Sequence, residues 1–132
     1  MPNTNDILSK YRTIAVVGLS PNRARPSHSV SEYMKRAGYR IIPVNPGHAE
    51  ILGEKCYRTL DDVTEPVDIV NVFRRSEYVP DIAEMAIRKG AKVLWLQEGI
   101  IHKEAAEKAR AAGLEVVMNT CILKEHMRVR GA

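Results

Sequence analysis

The amino-acid sequence predicts an α/β fold: a single doubly wound domain built on a five-stranded parallel sheet, with helices on both faces. The first supporting observation is that short segments rich in β-branched residues alternate with amphipathic segments of helical periodicity. The second is that the short segments are nearly all apolar, as strands buried on both faces must be. Since 132 residues with 45% hydrophobic content suit one packed core, we expect residues 1–132 to form one domain.

The first part of the chain supplies two strands and the helix between them. The segment TIAVVG (13–18) predicts strand one, and YRIIPVN (39–45) predicts strand two. The intervening helix has apolar residues at i, i+3, i+4 and i+7, namely Val30, Tyr33, Met34 and Ala37. Ser29 and Glu32 have the spacing of a capping box at its start, and Gly38 can end it in the left-handed conformation.

The rest of the chain continues the alternation with three more strands. They are DIVNVF (68–73), KVLWLQ (92–97) and LEVVM (114–118). Further helices are predicted at 6–10, 59–63, 79–87, 103–112 and 122–128. Strand–helix–strand units of this kind form right-handed crossovers in a parallel sheet, so we expect a Rossmann-like domain with the strand order 3-2-1-4-5.

The composition and net charge indicate which kinds of ligand or partner the protein could bind. The chain has 20 Lys and Arg residues against 16 Asp and Glu, a formal net charge of +4 that suits an anionic small molecule. A nucleic-acid-binding surface normally carries a denser basic stripe, although the basic segment KEHMRVRG keeps that class as an alternative. No segment has the roughly 20 apolar residues of a membrane span, and the N-terminus has no apolar signal core. We therefore expect a cytoplasmic protein that binds neither membrane nor nucleic acid.

A doubly wound sheet binds its ligand at the carboxyl ends of the strands, so five loops are candidate site segments. They are Gly18–His28, Val44–Gly47, Phe73–Ser76, Leu96–Ile100 and Asn119–Cys121. The first loop has one glycine where dinucleotide-binding loops have three, and polar and basic residues take the other places. Its candidate ligand-binding residues are Gly18, Ser20, Asn22, Arg23, Arg25, Pro26, Ser27 and His28. Arginines beside the N–H groups of a helix start favour a ligand with phosphate beyond a single pyrophosphate.

The other loops restrict the choice of nucleotide. Strand two ends at Asn45 and Pro46, where NAD-binding folds place an acidic residue against the ribose hydroxyls. An amide tolerates a phosphorylated ribose, which argues against NAD and leaves NADP as an alternative. Further candidate binding residues follow strands three to five: Phe73, Arg74, Arg75, Gln97, Gly99 and Cys121. We expect Trp95 to lie in the core rather than in the site.

The sequence shows no strong catalytic or metal-binding pattern. The histidines, at positions 28, 48, 102 and 126, have no metal-ligand spacing, and neither a GxSxG motif nor a Walker loop is present. Glu98 is the one acid beside the expected site, and a structural or solvated role suits it better than acid catalysis. Cys121 opens a helix at the ligand edge, a position that promotes thiol reactivity, although an inert buried cysteine is the commoner case.

With these segments assembled, the chain resembles the small stand-alone CoA-binding proteins. Those proteins are related to the CoA-binding Rossmann domain of the succinyl-CoA synthetase alpha subunit. The matching segments run in order through nearly the whole chain: VVGLSPNRARPSH, GYRIIPVNP, ILGEKCYRTLDDV, VDIVNVFRRSE, AKVLWLQEGI and AGLEVVMNTC. A lone strand–glycine–helix unit would be weak evidence, whereas this combination is specific.

The resemblance implies that coenzyme A is the ligand. The Gly18 loop and the helix start at Arg25–His28 would hold the CoA phosphates, while Asn45 and Pro46 would flank the adenosine. The segments Phe73-Arg74 and Gln97–Gly99 would line the path of the nucleotide and the pantetheine arm. Because CoA carries a 3′-phosphate in addition to its pyrophosphate, it matches a first loop with arginines and an amide at the end of strand two.

The same resemblance implies binding and supplies no reaction. Succinyl-CoA synthetase adds a domain with a phosphorylated histidine and a nucleotide-grasping partner subunit, for which 132 residues leave no room. We therefore expect a non-catalytic carrier or sensor of CoA, with an NADP-linked oxidoreductase as the alternative. A mixed disulfide between Cys121 and the CoA thiol is a further hypothesis. Apolar surface on the terminal helices could support a homodimer or another protein partner.

Overall fold

The computed structural model describes residues 2–130, which form seven β-strands and five α-helices. In chain order the strands are β1 (Thr13–Val17), β2 (Arg40–Val44), β3 (Glu50–Ile51), β4 (Glu54–Lys55), β5 (Ile69–Val72), β6 (Val93–Leu96) and β7 (Glu115–Val117). The helices are α1 (Thr4–Lys10), α2 (Pro26–Arg36), α3 (Val79–Lys89), α4 (Lys103–Ala111) and α5 (Ile122–Arg130). Within residues 2–130, no helix is both long and apolar enough to cross a membrane.

Five of the strands form one parallel sheet in the order β2-β1-β5-β6-β7. The predicted α/β fold class, with a five-stranded parallel sheet and helices on both faces, is confirmed. The predicted strand order 3-2-1-4-5 is wrong, because the third strand of that prediction, β5, pairs with the free side of β1 rather than with β2. Ile14 lies beside Ile69, and Val17 lies beside Val72.

Two local features explain why β2 lies at the edge of the sheet and β5 lies next to β1. Pro43 has no N–H group to donate to a further strand, and its carbonyl instead accepts the N–H of Tyr57 at 3.0 Å. Asp68 immediately precedes β5, and its carboxylate accepts the backbone N–H groups of Arg12 and Thr13 at 3.2 and 3.1 Å. The proline therefore favours an edge position for β2, while the aspartate ties the start of β5 to the start of β1.

The helices form one layer on each face of the sheet. On one face, α1, α2 and α5 surround a core that includes Ile14, Met34 and Trp95. On the other face, α3 and α4 cover a core that includes Leu94. Trp95 is fully buried and donates its indole N–H to the carbonyl of Thr120 at 2.8 Å. The predicted core position of this tryptophan is therefore confirmed.

The crossover from β2 to β5 is the irregular part of the fold. It contains the antiparallel β3–β4 hairpin, which the sequence did not reveal, and a 3-10 turn at Leu60–Asp62 in place of the helix predicted at 59–63. Each hairpin strand has only two residues, so no alternation of apolar and polar residues marks it. As a result, this crossover brings a 3-10 turn, not an α-helix, to the carboxyl end of the sheet.

Helix α2 begins earlier than its capping-box spacing predicts and agrees with the Arg25–His28 helix start that the resemblance implied. The capping-box spacing of Ser29 and Glu32 placed its start near Ser29, whereas the helix begins at Pro26 with Arg25 as its N-cap residue. Proline is favoured at the first helical position, because the N–H that it lacks would have no intrahelical partner there. Gly38 follows the helix with a φ of +103°, the left-handed conformation that was predicted.

Candidate functional site

The carboxyl edge of the sheet carries a groove at the point where the strand order reverses, between β1 and β5. Three clefts make up this groove. The loop cleft, about 320 Å³, is lined by Gly18, Ser20, Arg25, Pro26, Ser27 and Phe73. The lining of the crossover pocket, about 240 Å³, includes Gly18, Pro46, Arg58, Leu60, Arg74 and Tyr78. The lining of the long cleft, about 600 Å³, includes Pro26, Val30, Phe73, Arg74, Arg75, Gln97, Gly99 and Cys121.

The three clefts adjoin because they share wall residues. Gly18 lines both the loop cleft and the crossover pocket. Arg74 lines both the crossover pocket and the long cleft, and Phe73 lines both the long cleft and the loop cleft. One elongated ligand can therefore occupy all three. The strand order 3-2-1-4-5 would have placed the reversal between β1 and β6, so the observed order moves the centre of the site to the loops after β1 and β5.

A further depression of about 260 Å³ lies between α1 and α5, with Arg12, Tyr39 and His126 in its wall. It is at the amino end of β1, since Arg12 immediately precedes that strand. Parallel sheets bind their ligands at the opposite, carboxyl end. We therefore assign the candidate site to the groove.

Gly18 brings the loops after β1 and β5 into contact. Its φ is +92°, and a Cβ atom at this position would lie 2.6 Å from the carbonyl oxygen of Phe73 and 3.0 Å from Cδ of Arg74. The Gly18 N–H donates to the carbonyl of Val44 at 2.9 Å, which also ties the loop to the end of β2. Only glycine permits both this backbone conformation and this close approach.

The first loop is held in shape by its own side chains. The Ser20 N–H donates to Oγ of the buried Ser27 at 3.0 Å, and Nδ1 of the buried His28 donates to the carbonyl of Ser20 at 2.9 Å. The Asn22 N–H donates to Oγ of Ser20 at 3.1 Å, and Oδ1 of Asn22 accepts the Ala24 N–H at 2.9 Å. The ligand contacts of Asn22, Ser27 and His28 stay a prediction: Ser27 lines the loop cleft, and the polar atoms named here also maintain the loop.

The predicted arginines lie in different surroundings. Arg25 is exposed at the start of α2 and lines the loop cleft. Arg23 lies outside the groove, in a depression that it shares with Lys35 and Arg36. Arg74 is half-buried, and its guanidinium lies 4.3 Å from the centroid of the Tyr78 ring.

Two further arginines complete the cationic lining. Arg75 lies at the mouth of the long cleft and forms a 3.6 Å ion pair with Glu77. Arg58, in the crossover pocket, was not predicted as a site residue. Within residues 2–130, no carboxylate oxygen lies within 4.0 Å of the Arg25, Arg58 or Arg74 guanidinium.

The end of β2 is joined to the first loop by Asn45. Its Nδ2 donates to the carbonyl of Leu19 at 2.8 Å, and its own carbonyl accepts the thiol of Cys56 at 3.3 Å. Burial raises the pKa of Cys56, which keeps this thiol protonated as a donor. Asn45 therefore supports the loop, while the adjacent Pro46 lines the crossover pocket.

The loop after β6 is fixed by two amide side chains. Gln97 is 4% exposed, and its Nε2 donates to Oδ1 of the fully buried Asn71 at 2.7 Å. The Gly99 N–H donates to Oδ1 of Asn119 at 2.7 Å. Gln97 and Gly99 therefore line the long cleft in positions that are determined by β5 and by the loop after β7.

Glu98 and Cys121 also line the long cleft. Glu98 is exposed and lies 3.0 Å from Nζ of Lys124, and this pairing raises the pKa of the lysine. Cys121 is half-buried immediately before α5, and its carbonyl accepts the Glu125 N–H at 3.1 Å. The pairing with Lys124 is the structural role that was expected of Glu98.

Four residues of the site were missed or only partly anticipated from sequence. Asn71 could have been noticed as the one amide inside the apolar strand DIVNVF. Asn119 has a φ of +55°, a conformation in which asparagine is enriched, and it lay within a predicted site segment. Arg58 and Tyr78 lay outside the predicted site segments, because they belong to an irregular crossover and to a 3-10 turn, although Arg58 is part of the family segment ILGEKCYRTLDDV.

The described histidines and acids offer no metal site. Within residues 2–130, no group of three His, Cys, Asp or Glu side chains could hold a metal ion. His102 instead caps α4 by accepting the Ala105 N–H at 3.1 Å, and His126 is hydrogen-bonded to the hydroxyl of Tyr33 at 2.8 Å. The groove therefore offers cations, amides and apolar surface to a ligand.

Comparison with known proteins identifies the family. Residues 12–127 match the sequence profile of a family described as a CoA binding domain. The uncharacterized protein YneT of Bacillus subtilis (strain 168) is 46% identical over 121 residues, which cover 92% of this chain and 90% of that protein. The solved structure of a hypothetical protein from Pyrococcus horikoshii OT3 matches with a TM-score of 0.94 and 39% identity, and the match covers 98% of this chain and 94% of that chain.

A more distant relative is an enzyme. The ADP-forming acetate–CoA ligase of Methanocaldococcus jannaschii is 28% identical over 85 residues, covering 64% of this chain and 12% of the ligase. This chain thus corresponds to a small part of that enzyme. The family match extends from the residue before β1 into α5, and it confirms the resemblance found in the sequence. The chain belongs to the CoA-binding domain family.

Proposed function

We propose that the protein binds coenzyme A in the groove and acts as a non-catalytic carrier or sensor of CoA. The observation that carries this proposal is the set of three groove arginines, Arg25, Arg58 and Arg74, that have no carboxylate partner in residues 2–130. Arginines that line a concave site without acidic partners favour an anionic ligand. Family membership supplies the ligand class, and CoA carries a pyrophosphate and a 3′-phosphate.

The loop cleft suits the pyrophosphate. It lies at the start of the 11-residue helix α2, whose dipole favours negative charge at this end. Arg25 adds a full positive charge, and the missing side chain of Gly18 leaves room for close approach to the backbone. The hydrogen bonds of Ser20 and Ser27 hold the loop in this open form before any ligand arrives.

The long cleft suits the pantetheine arm. Its wall combines apolar side chains, such as Val30 and Ile100, with the amide of Gln97. The arm of CoA has the same mixed character, since it alternates methylene groups with two amides. With the pyrophosphate in the loop cleft, the arm would leave past Phe73 and Pro26, which both clefts share, and run towards Cys121.

The surroundings of the groove favour retention of the ligand over its chemical conversion. Glu98, an acid in the long cleft, is exposed and paired with Lys124. The imidazole of His28 is buried and donates to the Ser20 carbonyl. These groups are therefore engaged in structural contacts rather than placed as a general acid or base against a ligand. A reducing cytoplasmic setting suits the free thiols of Cys56 and Cys121.

Thermal unfolding in the presence of CoA, NADP and NAD tests the proposal. At a hundred times its dissociation constant, a ligand adds about 2.7 kcal/mol to the free energy of unfolding, which corresponds to a rise in Tm of roughly 10 °C for a domain of this size. We expect that rise with CoA and no comparable rise with NAD or NADP. Isothermal titration should then give one site per chain.

A matched variant locates the site. Arg25→Gln should weaken CoA binding by roughly tenfold, the effect of losing one charge-assisted contact, without lowering the Tm of the free protein. Arg23→Gln, at an exposed position two residues away but outside the groove, should leave the CoA affinity nearly unchanged. Stabilisation by NADP but not by CoA would overturn the proposal.

A further inference from the structure

The crossover pocket combines an apolar floor with two arginines. Val44, Leu60 and Ile82 are buried and form part of the floor. Arg58 and Arg74 also line this pocket of about 240 Å³. An apolar floor suits a flat aromatic base, and two guanidinium groups suit a phosphate. The pocket therefore has the features needed to bind a base and a phosphate side by side.

The acids closest to Arg58 in the sequence are committed to other partners. Asp61 accepts from Arg88 at 2.8 Å, and Asp62 accepts the hydroxyl of Thr59 at 3.0 Å. Asp81 lines the same pocket, but it lies more than 4.0 Å from both Arg58 and Arg74. The positive charge of the two arginines is therefore not neutralised by an ion pair within the described residues.

The backbone of Arg58 is positioned by the residue before it. The Tyr57 N–H donates to the Pro43 carbonyl at 3.0 Å, and the Tyr57 carbonyl accepts the Asn45 N–H at 2.8 Å. These two bonds attach the irregular crossover to the outer edge of β2. Arg58 is consequently held at the carboxyl end of the sheet, although it does not belong to a strand of that sheet.

Arg74 is positioned from the other side. It follows Phe73, whose N–H donates to the Val17 carbonyl at 2.9 Å, and its side chain passes Gly18 to reach the ring of Tyr78. Stacking against the ring orients the guanidinium before a ligand binds. Arg58 and Arg74 thus come from two anchored segments on different sides of β1.

We propose that Arg58 and Arg74 bind the 3′-phosphate of CoA and make the protein selective for CoA over dephospho-CoA. The inference rests on the proposed function. It differs from the expectation from sequence, which matched the 3′-phosphate to the arginines of the first loop and to Asn45. Gly18 lies between the loop cleft and the crossover pocket, so the pyrophosphate and the 3′-phosphate of one ligand would occupy neighbouring but separate clefts.

Titration calorimetry with CoA and dephospho-CoA tests this inference. We expect the wild type to bind CoA at least about tenfold more tightly than dephospho-CoA, the effect of one or two charge-assisted contacts. Arg58→Gln should reduce that ratio by about tenfold while leaving the affinity for dephospho-CoA unchanged. Arg88→Gln is the matched control, because Arg88 is equally an exposed arginine near the crossover but is paired with Asp61. It should leave the ratio unchanged.

Two smaller ligands that have no pantetheine arm test recognition of the 3′-phosphate by itself. Adenosine 3′,5′-bisphosphate should bind the wild type more tightly than 5′-AMP, and Arg58→Lys should show part of this preference, since lysine keeps the charge but not the paired donors. If Arg58→Gln lowers the affinities for CoA and for dephospho-CoA by the same factor, or if the wild type binds both ligands with the same affinity, Arg58 does not provide the selectivity. With either result, the proposal that the protein binds CoA would stand. If the wild type binds none of these ligands, the proposed function itself fails.

Discussion

The arginines of the groove and Arg40, at the start of β2, have opposite surroundings. At the start of β2, Arg40 lies 2.6 Å from Glu54 and 2.8 Å from Glu65. Lys35 and then Arg40 lower the pKa of Glu54, and Arg40 lowers the pKa of Glu65. In the groove, Arg25, Arg58 and Arg74 have no carboxylate partner within 4.0 Å among residues 2–130. The difference indicates that Arg40 stabilises the fold, whereas Arg25, Arg58 and Arg74 are available to a ligand.

The largest expected effect comes from Gly18→Ala, which would disrupt the groove itself. The new Cβ would lie 2.6 Å from a backbone oxygen of Phe73 at a φ of +92°. We expect a loss of about 2–5 kcal/mol in the free energy of unfolding and the loss of CoA binding. Denaturant unfolding and calorimetry measure the two effects.

Gly38→Ala separates backbone strain from the contact with Phe73. Gly38 has a φ of +103°, but a Cβ atom there would meet nothing within 4 Å. It should cost only about 1–2 kcal/mol of stability and leave CoA binding intact. Equal losses of stability and binding in the two variants would show that contact between the two loops is not what Gly18 provides.

A smaller effect comes from Arg40→Gln, which removes the arginine that we assign to stabilising the fold. The variant removes both ion pairs to Glu54 and Glu65, whose lowered pKa values mean that this stabilisation is present above about pH 4.5 and is lost as the pH falls below it. Because the arginine is partly exposed, we expect a loss of only about 0.5–1 kcal/mol at pH 7. The CoA affinity should be unchanged.

Arg25→Gln should have the opposite pair of effects from Arg40→Gln. That variant should weaken CoA binding while the unfolding of the free protein stays as in the wild type. A stability loss in Arg25→Gln, or a loss of CoA affinity in Arg40→Gln, would show that Arg40 and the groove arginines are not functionally distinct. Thermal unfolding and titration of both variants under the same buffer conditions make this test.

The smallest effect concerns His126, which lies neither in the groove nor beside Arg40. Burial, and then the charges of Arg130 and Arg12, lower the pKa of this histidine below its ordinary value of 6.5. Its other neighbours are the rings of Tyr33 and Tyr39, which meet it edge-on. Below about pH 6.5 the unfolded chain binds more protons at this position than the folded chain does. Neutral His126 therefore stabilises the fold above about pH 6.5, and the free energy of unfolding decreases as the pH falls from 6.5 towards the lowered pKa of His126.

His126→Gln should therefore reduce the decrease in Tm between pH 7.5 and 5.5 by about 1–3 °C. The exposed His48 provides the control, because His48→Gln removes a histidine without removing these contacts. An unchanged pH dependence in His126→Gln would contradict the assignment. CoA binding should be the same in both variants at pH 7.5.

Most of the fold could be predicted because the pattern of apolar residues along the chain shows which residues of each element are buried. The five apolar runs and the helical stripes identify their elements without knowledge of distant contacts. The strand order could not be predicted in this way, since it depends on hydrogen bonds between remote residues. Asp68 binds the start of β1, and Pro43 limits β2 to the edge. Of these two features, Pro43 is the one that local sequence does show, since a proline within a strand favours an edge position.

The candidate site was only partly predictable for a related reason. The rule for parallel sheets selects the loops, but it does not say which side chains face the ligand. The Asn45 amide and the His28 ring are used to hold the first loop, and Arg23 lies outside the groove. Arg58 enters the site because Tyr57 pairs with β2, a contact between segments that no periodicity marks.

The edges of the sheet have a consequence for the behaviour of the protein at high concentration. An unpaired strand edge is a template on which a second molecule can add a strand, and aggregation begins there. On β2, Pro43 offers no donor and Tyr57 already occupies its outer side. On the opposite edge, β7 has only three residues and starts at the exposed Glu115. Neither edge gives an incoming chain a long, uncharged run of free backbone groups, so intermolecular strand addition is disfavoured even when the groove is empty.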